Sequence, residues 1–256
     1  MKAFKIAALT ACVSLLSFSA FAQSSSSASK EEKNVEDTYL STVEDVVITE
    51  LAASDERDNK MVALQYLEDA VNGGRTTPDM IKALDSLAGE GINTQARKNN
   101  RLVNNYPDIR AKACDLLGQV KTEESKQSLV KIALADNEPM VITAAIRALG
   151  DVGINDNDDV SETIAWAQRK NSVLNPTSSL ALEVLIAYEK LADTVENKSS
   201  MIQTVSAIAA NYHYVTPVRT RALELLKKLQ GSNSNKSKSN SKWEHSLLRN
   251  EVRQQS

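Results

Sequence analysis

Asp108 to Val120 reads DIRAKACDLLGQV, and the pattern returns as MVITAAIRALGDV over Met140 to Val152 and as PVRTRALELLKKL over Pro217 to Leu229. Weaker copies are DNKMVALQYLEDAV (Asp58 to Val71) and PTSSLALEVLIAYEKL (Pro176 to Leu191). Superposed, Ala63, Ala113, Ala145, Ala181 and Ala222 share one position, and Leu67, Leu117, Leu149, Leu185 and Leu226 share the position four residues on. Residues four apart project from the same helical face, so each copy is a helix with one close-packing point and one bulky anchor. The alanines lie 50, 32, 36 and 41 residues apart. A unit of that size predicts stacked helical repeats, each covering apolar surface that its neighbour leaves wet. The fold class is therefore all-α, an α-solenoid of four to five helical hairpins. That class favours binding over catalysis without naming a partner.

Helix signals divide the chain into units. Apolar residues at Val35, Tyr39, Val43, Val46/Val47 and Leu51 fall at spacings of three and four. They predict a helix from about Asn34 to Ala53 that shields the first unit. That unit pairs Arg57–Val71 with Pro78–Ala88 across Gly73-Gly74, and Thr77 and Pro78 form a favourable start for its second helix. Gly89 to Tyr106 reads as an irregular insertion. The next units are Pro107–Val120 with Glu123–Ala135, Pro139–Leu149 with Asp159–Arg169, and Pro176–Ala192 with Lys198–Asn211. The last supplies only Pro217–Leu229.

PDIRAKACDLLG, with Pro, then Ile-Arg two residues on, then Ala and Leu-Leu-Gly, resembles a HEAT repeat of the short bacterial type. PVRTRALELL follows the same pattern, and PMVITAAIRALG follows it without the early Arg. The likeness covers about residues 54–229 and is thin in the first and fourth units. It implies a curved solenoid of helical hairpins serving as a protein-binding scaffold. A minority branch of the family resembles phycobilin lyases and deoxyhypusine hydroxylase, which implies an enzyme or enzyme subunit. The hydroxylase uses His-Glu pairs for iron, and no His-Glu dipeptide occurs here. A co-purifying pigment or cofactor would favour this enzyme reading. The early arginines, Arg110 and Arg219, read as structural, each meeting an acid or carbonyl of an adjacent unit.

The two ends read differently from the body. Lys2 and Lys5, the apolar run Ile6 to Phe18 and Ala20-Phe21-Ala22 form a secretory signal over residues 1–22, too short to span a membrane. Residues 23–33 read as a disordered Ser-rich tether before the repeat domain, 34–230. Leu9-Thr10-Ala11-Cys12 also resembles a lipobox, which would anchor the chain through Cys12. The short apolar run before Cys12 and the apolar residues after it favour simple cleavage and a periplasmic location. Residues 231–242 are a low-complexity basic linker. Residues 243–256 read as a short helix or tail, with Trp243 docking back on the last unit or meeting a partner.

Formal net charge is −3, and loss of Lys2 and Lys5 takes it to −5. Residues 227–256 carry seven Lys/Arg against two acids, which leaves −10 on residues 23–226. An acidic body argues against nucleic acid as a partner, because phosphate neutralisation needs a cationic surface. The basic tail admits a weak anionic contact. With His213 and His245 the only histidines and Cys114 the only cysteine after residue 22, no catalytic or metal-ligating constellation is legible, and no cofactor is assigned. DVGINDNDDVSE (Asp151 to Glu162) is rich in oxygen ligands, but it places Gly153 and not an acid at the third loop position, so it reads as a turn rather than a calcium loop.

Candidate partner-binding residues come from the second helices, which in such solenoids line the concave side. They are Lys82 and Asp85, Gln127 and Lys131, Trp166 and Arg169, and Gln203. Trp166 reads either as core or as a contact hot spot. The insertion adds Arg97, Lys98 and Arg101.

Overall fold

The computed structural model describes residues 35–231. Its elements in chain order are α1 (Val35–Ala53), α2 (Arg57–Asn72), α3 (Pro78–Ala88), β1 (Arg97–Lys98), β2 (Arg101–Leu102), α4 (Pro107–Val120), α5 (Glu123–Ala135), α6 (Pro139–Val152), α7 (Asp159–Leu174), α8 (Ser178–Leu191) and α9 (Ser199–Ala210). A last helix, α10, covers residues 216–231.

The boundaries follow from backbone chemistry. Thr77 and Thr122 stand at the N-termini of α3 and α5, where each hydroxyl accepts from the backbone N–H three residues on. Pro78, Pro107 and Pro139 open α3, α4 and α6, where a missing N–H breaks no helical bond. Gly153, at φ 72°, closes α6 in the left-handed conformation and returns its N–H to the Leu149 carbonyl.

Helices alternate between two rows. The first helices stack as α2–α4–α6–α8 and the second helices as α3–α5–α7–α9, with α1 laid against α2 and α3. The five repeated alanines are all fully buried, as are Leu67, Leu117, Leu149 and Leu185. Leu226, in α10, is only partly buried. One continuous apolar core runs from Ile48 to Leu229.

The central first helices touch through their backbones. A Cβ on Gly118 of α4 would lie 2.8 Å from Ala148 Cα of α6, and one on Gly150 of α6 would lie 2.9 Å from Ala187 Cα of α8. Neither neighbour can yield, because the atom met is main chain. Ion pairs cross the same row. Arg57 pairs with Asp108 and Lys112 with Glu68 between α2 and α4. Arg147 of α6 reaches Asp115 of α4 and Glu183 of α8, each at 3.1 Å. Lys190 pairs with Asp151, and Arg221 of α10 grips both carboxylate oxygens of Glu189 at 3.0 and 2.7 Å. Half-exposed pairs contribute at most about 1 kcal/mol each, so their larger effect is to fix which faces meet. Burial lifts the Asp115 carboxyl above its ordinary value even against the opposing Arg147 guanidinium.

Arg110 is the largest fully buried side chain. Its Nε donates to Asp136 Oδ2 (2.8 Å), and its Nη1 donates to the Glu90 carbonyl (3.2 Å) and to Asn105 Oδ1 (2.8 Å). Asp136 Oδ1 in turn accepts from the backbone N–H groups of Asn137 and Glu138. One guanidinium thus fastens the end of α5 and the insertion to α4. Arg219 Nε donates to the Ala209 carbonyl at 3.3 Å, and its guanidinium stacks over Tyr212. Both arginines hold the structural places read from sequence.

The face of α1 differs from the sequence expectation. Ile48 and Ala52 are buried and Leu51 packs beside them, while Val35, Tyr39, Val43, Val46 and Val47 stand exposed. The apolar contact of α1 with the first unit is made by its last turns, and Glu44 and Asp45 farther back pair with Arg75. Spacing reveals that an apolar stripe exists, whereas the neighbouring helices decide which stripe is covered.

Two outcomes test this packing. Gly118→Ala, which in an unconstrained helix interior stabilises by about 1 kcal/mol, is expected to destabilise by about 1–3 kcal/mol in urea unfolding because the added methyl meets backbone. Arg110→Ala is expected to cost about 3–5 kcal/mol, since it strands the buried Asp136 carboxylate. An unchanged midpoint for either variant would contradict the contact it removes.

Candidate functional site

Second helices leave clefts between them. Lys82 and Asp85 of α3 and Gln127 and Lys131 of α5 line one cleft of about 640 Å³, with Thr76, Ile81 and Glu124 around them. The sequence placed these four residues on two separate units, and the fold brings them to one surface. Lys82 Nζ meets Asp79 at 3.3 Å and Gln127 donates to Glu123 at 3.1 Å. No salt bridge involves Asp85 or Lys131 among the described residues. The cleft thus offers charges of both signs, which suits a polar macromolecular surface.

Arg169 and Gln203 lie in a second cleft, of about 250 Å³, between α7 and α9. Gln168, Asn211 and Tyr214 complete its wall. Gln168 is 3% exposed, and its Nε2 donates to the Tyr214 hydroxyl at 2.8 Å. Its Oε1 is buried without a hydrogen-bond partner. Burial pushes the Tyr214 phenol up, with the Gln168 hydrogen bond opposing. Residues 168, 211 and 214 carry no repeat signature, so nothing in the sequence marked them.

Trp166, on α7, is 42% exposed, so packing does not consume it. Lys170 Nζ stands 5.2 Å from its ring centroid, within range of a cation–π contact. The core alternative for this tryptophan is thereby corrected: α7 turns Val160, Ile164 and Ala167 inward and leaves position 166 on the outer side. Trp166 lines neither cleft.

Arg97, Lys98 and Arg101 lie apart from both clefts, on a small antiparallel hairpin where the sequence suggested an irregular stretch. Arg97 pairs with Leu102 and Lys98 with Arg101. Asn99 and Asn100 form the turn at φ 49° and 62°, the left-handed pair that a two-residue hairpin loop requires and that asparagine tolerates. A buried polar network anchors it. Asn104 Nδ2 donates to Glu90 Oε1 and to the Thr94 carbonyl, both at 2.7 Å, and Lys60 Nζ donates to Glu90 Oε2 at 2.9 Å. A Cβ on Gly91 would lie 2.5 Å from the Asn104 carbonyl oxygen, so only glycine fits the fold of this loop.

The oxygen-rich turn before α7 is occupied by the protein's own donors. Lys126 of α5 contacts Asp156 at 3.2 Å, Asp159 at 3.0 Å and Glu123 at 2.9 Å. Burial pulls the Lys126 ammonium down, but hydrogen bonds to Glu123, Asp159 and Asp156 outweigh it and hold the group above its ordinary value. Asp158 accepts from the backbone N–H groups of Asn197 (2.8 Å) and Glu196 (2.9 Å), which hold its carboxyl below the usual range. The turn therefore ties α5 and α7 to the segment before α9. Among the described residues no group of three or more His, Cys, Asp or Glu is placed to hold a metal ion. Cys114 is buried, and burial together with nearby Asp115 and Asp136 pushes its thiol far up, against the opposing Arg110, so it is no nucleophile. His213 is exposed in the loop after α9.

A family model for HEAT repeats matches residues 100–171, which span β2, α4, α5, α6 and most of α7. No curated protein and no solved structure matches the chain significantly. The two rows of stacked hairpins and this match define the class: the chain is an all-α, HEAT-like solenoid. Among the described residues no helix is long and apolar enough to cross a membrane. Cys12, Trp243 and the basic C-terminal stretch lie outside the described residues.

The Asp158 contact gives a pH test. Its folded pKa lies below the unfolded value of about 3.9, so its contribution is present above that value and is lost as pH falls through the depressed one. Asp158→Asn is expected to lower stability at pH 7, and the gap from the parent chain should close in acid. A pH-independent gap in thermal or urea unfolding would mean that the carboxylate charge is not what holds this turn.

Proposed function

We propose that this protein is a non-catalytic, protein-binding scaffold whose partner lies along the second-helix row. The observation that carries the reading is the convergence of Lys82, Asp85, Gln127 and Lys131 on one cleft, with Trp166 left exposed farther along the same row. HEAT repeats commonly serve protein–protein contact, and the match over residues 100–171 supports that role. Tryptophan is enriched among interface hot spots, and its exposure here needs a reason that core packing does not supply. The hairpin carrying Arg97, Lys98 and Arg101 is a second contact surface, rigid because its base is pinned by Glu90 and Asn104.

The process served is an adaptor or assembly role in a bacterial cell envelope. Lys2, Lys5, the apolar run Ile6 to Phe18 and Ala20-Phe21-Ala22 support export by a cleaved signal, with the Cys12 lipid anchor as the rival form of attachment. Mass spectrometry of the mature N-terminus separates the two: a chain starting at Gln23 establishes cleavage, and a diacylated Cys12 establishes the anchor.

The binding role is tested by in-cell crosslinking and affinity capture of the parent chain beside Trp166→Ala, Lys82/Lys131→Ala and Arg97/Lys98/Arg101→Ala. A partner captured by the parent is expected to fall about tenfold or more with Trp166→Ala or the cleft variant, a hot-spot-sized loss, while far-ultraviolet circular dichroism stays unchanged. Partners retained equally by all three variants would place the interface elsewhere and overturn the reading.

A further inference from the structure

The α7/α9 cleft has a donor and acceptor inventory that the protein leaves incomplete. Gln168, 97% buried by its 3% exposure, carries an acceptor, Oε1, with no partner. Leaving a buried amide oxygen unpaired is unfavourable, and α7 and α9 offer it nothing. Arg169, the next residue on α7, is exposed at the rim, and no carboxylate pairs with it among the described residues. Arg57, Arg110, Arg147 and Arg221 find acids along the first-helix row and Arg219 spends its Nε on the Ala209 carbonyl, whereas Arg169 stands beside an orphan amide oxygen with no acid of its own.

The remaining wall narrows the ligand. No Asp or Glu lines the cleft, and the Glu162 carboxylate outside it is already engaged by the hydroxyl of the lining Ser200 at 3.1 Å, so an ammonium group entering beside Gln168 would be desolvated with no carboxylate in the wall to receive it. A neutral amide N–H meets Gln168 Oε1 without that cost. Ala165, Ala207 and the Tyr214 ring supply an apolar strip beside the polar groups. A volume of about 250 Å³ accepts one or two amino-acid residues.

We infer that the α7/α9 cleft binds a peptide carboxylate, with an amide N–H of the peptide donating to Gln168 Oε1 and the carboxylate held by Arg169. This rests on the protein-binding reading and names the chemistry of one contact within it. The carboxylate has two possible sources, the C-terminus of a chain and an Asp or Glu side chain. The short cleft holds either, and the choice of peptide separates them. The interaction is charge-assisted at Arg169 and leaves the fold unaltered, because Arg169 is exposed and its side chain anchors no helix.

The test is titration of the full mature chain by isothermal calorimetry and amide NMR with N-acetyl-Ala-Ala, with its C-terminal amide, with N-acetyl-Asp-Ala amide and with free alanine. N-acetyl-Ala-Ala is expected to bind and to shift the Gln168 side-chain signal, while its amide binds about tenfold or more weakly, the loss of one charge-assisted contact. If the aspartyl amide binds instead, the side chain is the source. Arg169→Ala should reproduce the loss for either carboxylate, with an unchanged unfolding temperature. Gln168→Glu, which keeps a partner for the Tyr214 hydroxyl, should abolish carboxylate binding and admit free alanine through its ammonium. Failure of all four probes, or equal binding of acid and amide, would overturn the proposal. Partner capture that still depends on Trp166 or on Lys82 and Lys131 would show that the scaffold reading survives such a failure.

Discussion

Contact between first helices at Gly118–Ala148 and Gly150–Ala187 is the constraint on which the rest of the array depends. Backbones can meet this closely only where side chains are absent or are single methyl groups. Once they meet, α4, α6 and α8 form a spine whose spacing is set by main-chain atoms and not by adaptable side chains. The fully buried Leu67, Leu117, Leu149 and Leu185, four residues after their repeated alanines, then join the apolar core. Arg147, bridging Asp115 and Glu183, lies along the same spine and fixes its register. Both clefts that gather the candidate residues open on the second-helix row.

Buried polar chemistry fills the one place where the repeat is interrupted. The insertion between α3 and α4 separates the first unit from the second by 50 residues at the repeated alanine, against 32 for the next interval. Its backbone would be costly to bury alone. Arg110 satisfies the Glu90 carbonyl, Asn104 satisfies the loop around Thr94 and Ala96, and Lys60 neutralises Glu90. An ion pair at this depth is a poor source of stability, yet it selects one loop conformation. That conformation presents Lys98 directly opposite Arg101, a like-charge pairing across strands that an anionic partner group would relieve.

Much of the fold was legible because repetition averages out local ambiguity. Pro107, Pro139 and Thr122 marked helix starts that hold to the residue, and the Ala-to-Leu spacing identified the buried face in four units, Leu226 of the fifth being only partly buried. Other features had no such redundancy. The hairpin is two residues per strand with an Asn-Asn turn, below the length at which alternation registers. The covered face of α1 depends on α2 and α3, which its own periodicity does not encode. Gln168 and Tyr214 meet across 46 residues of sequence with no repeated position between them, so the α7/α9 cleft was invisible from the chain alone. The ion-pair row was accessible in principle: Asp115, Arg147 and Glu183 each stand two residues after a repeated alanine, with alternating sign.

Which row of helices meets a partner decides how the solenoid works. Site-specific photocrosslinking settles this directly, with a photoreactive residue placed at Gln127 or Gln203 on the second-helix row and at Thr220 or Glu224 on the first-helix row. Adducts of one defined partner from the second-helix positions alone are the predicted result. Adducts only from α10, or equally from both rows, would contradict the assignment of the binding face.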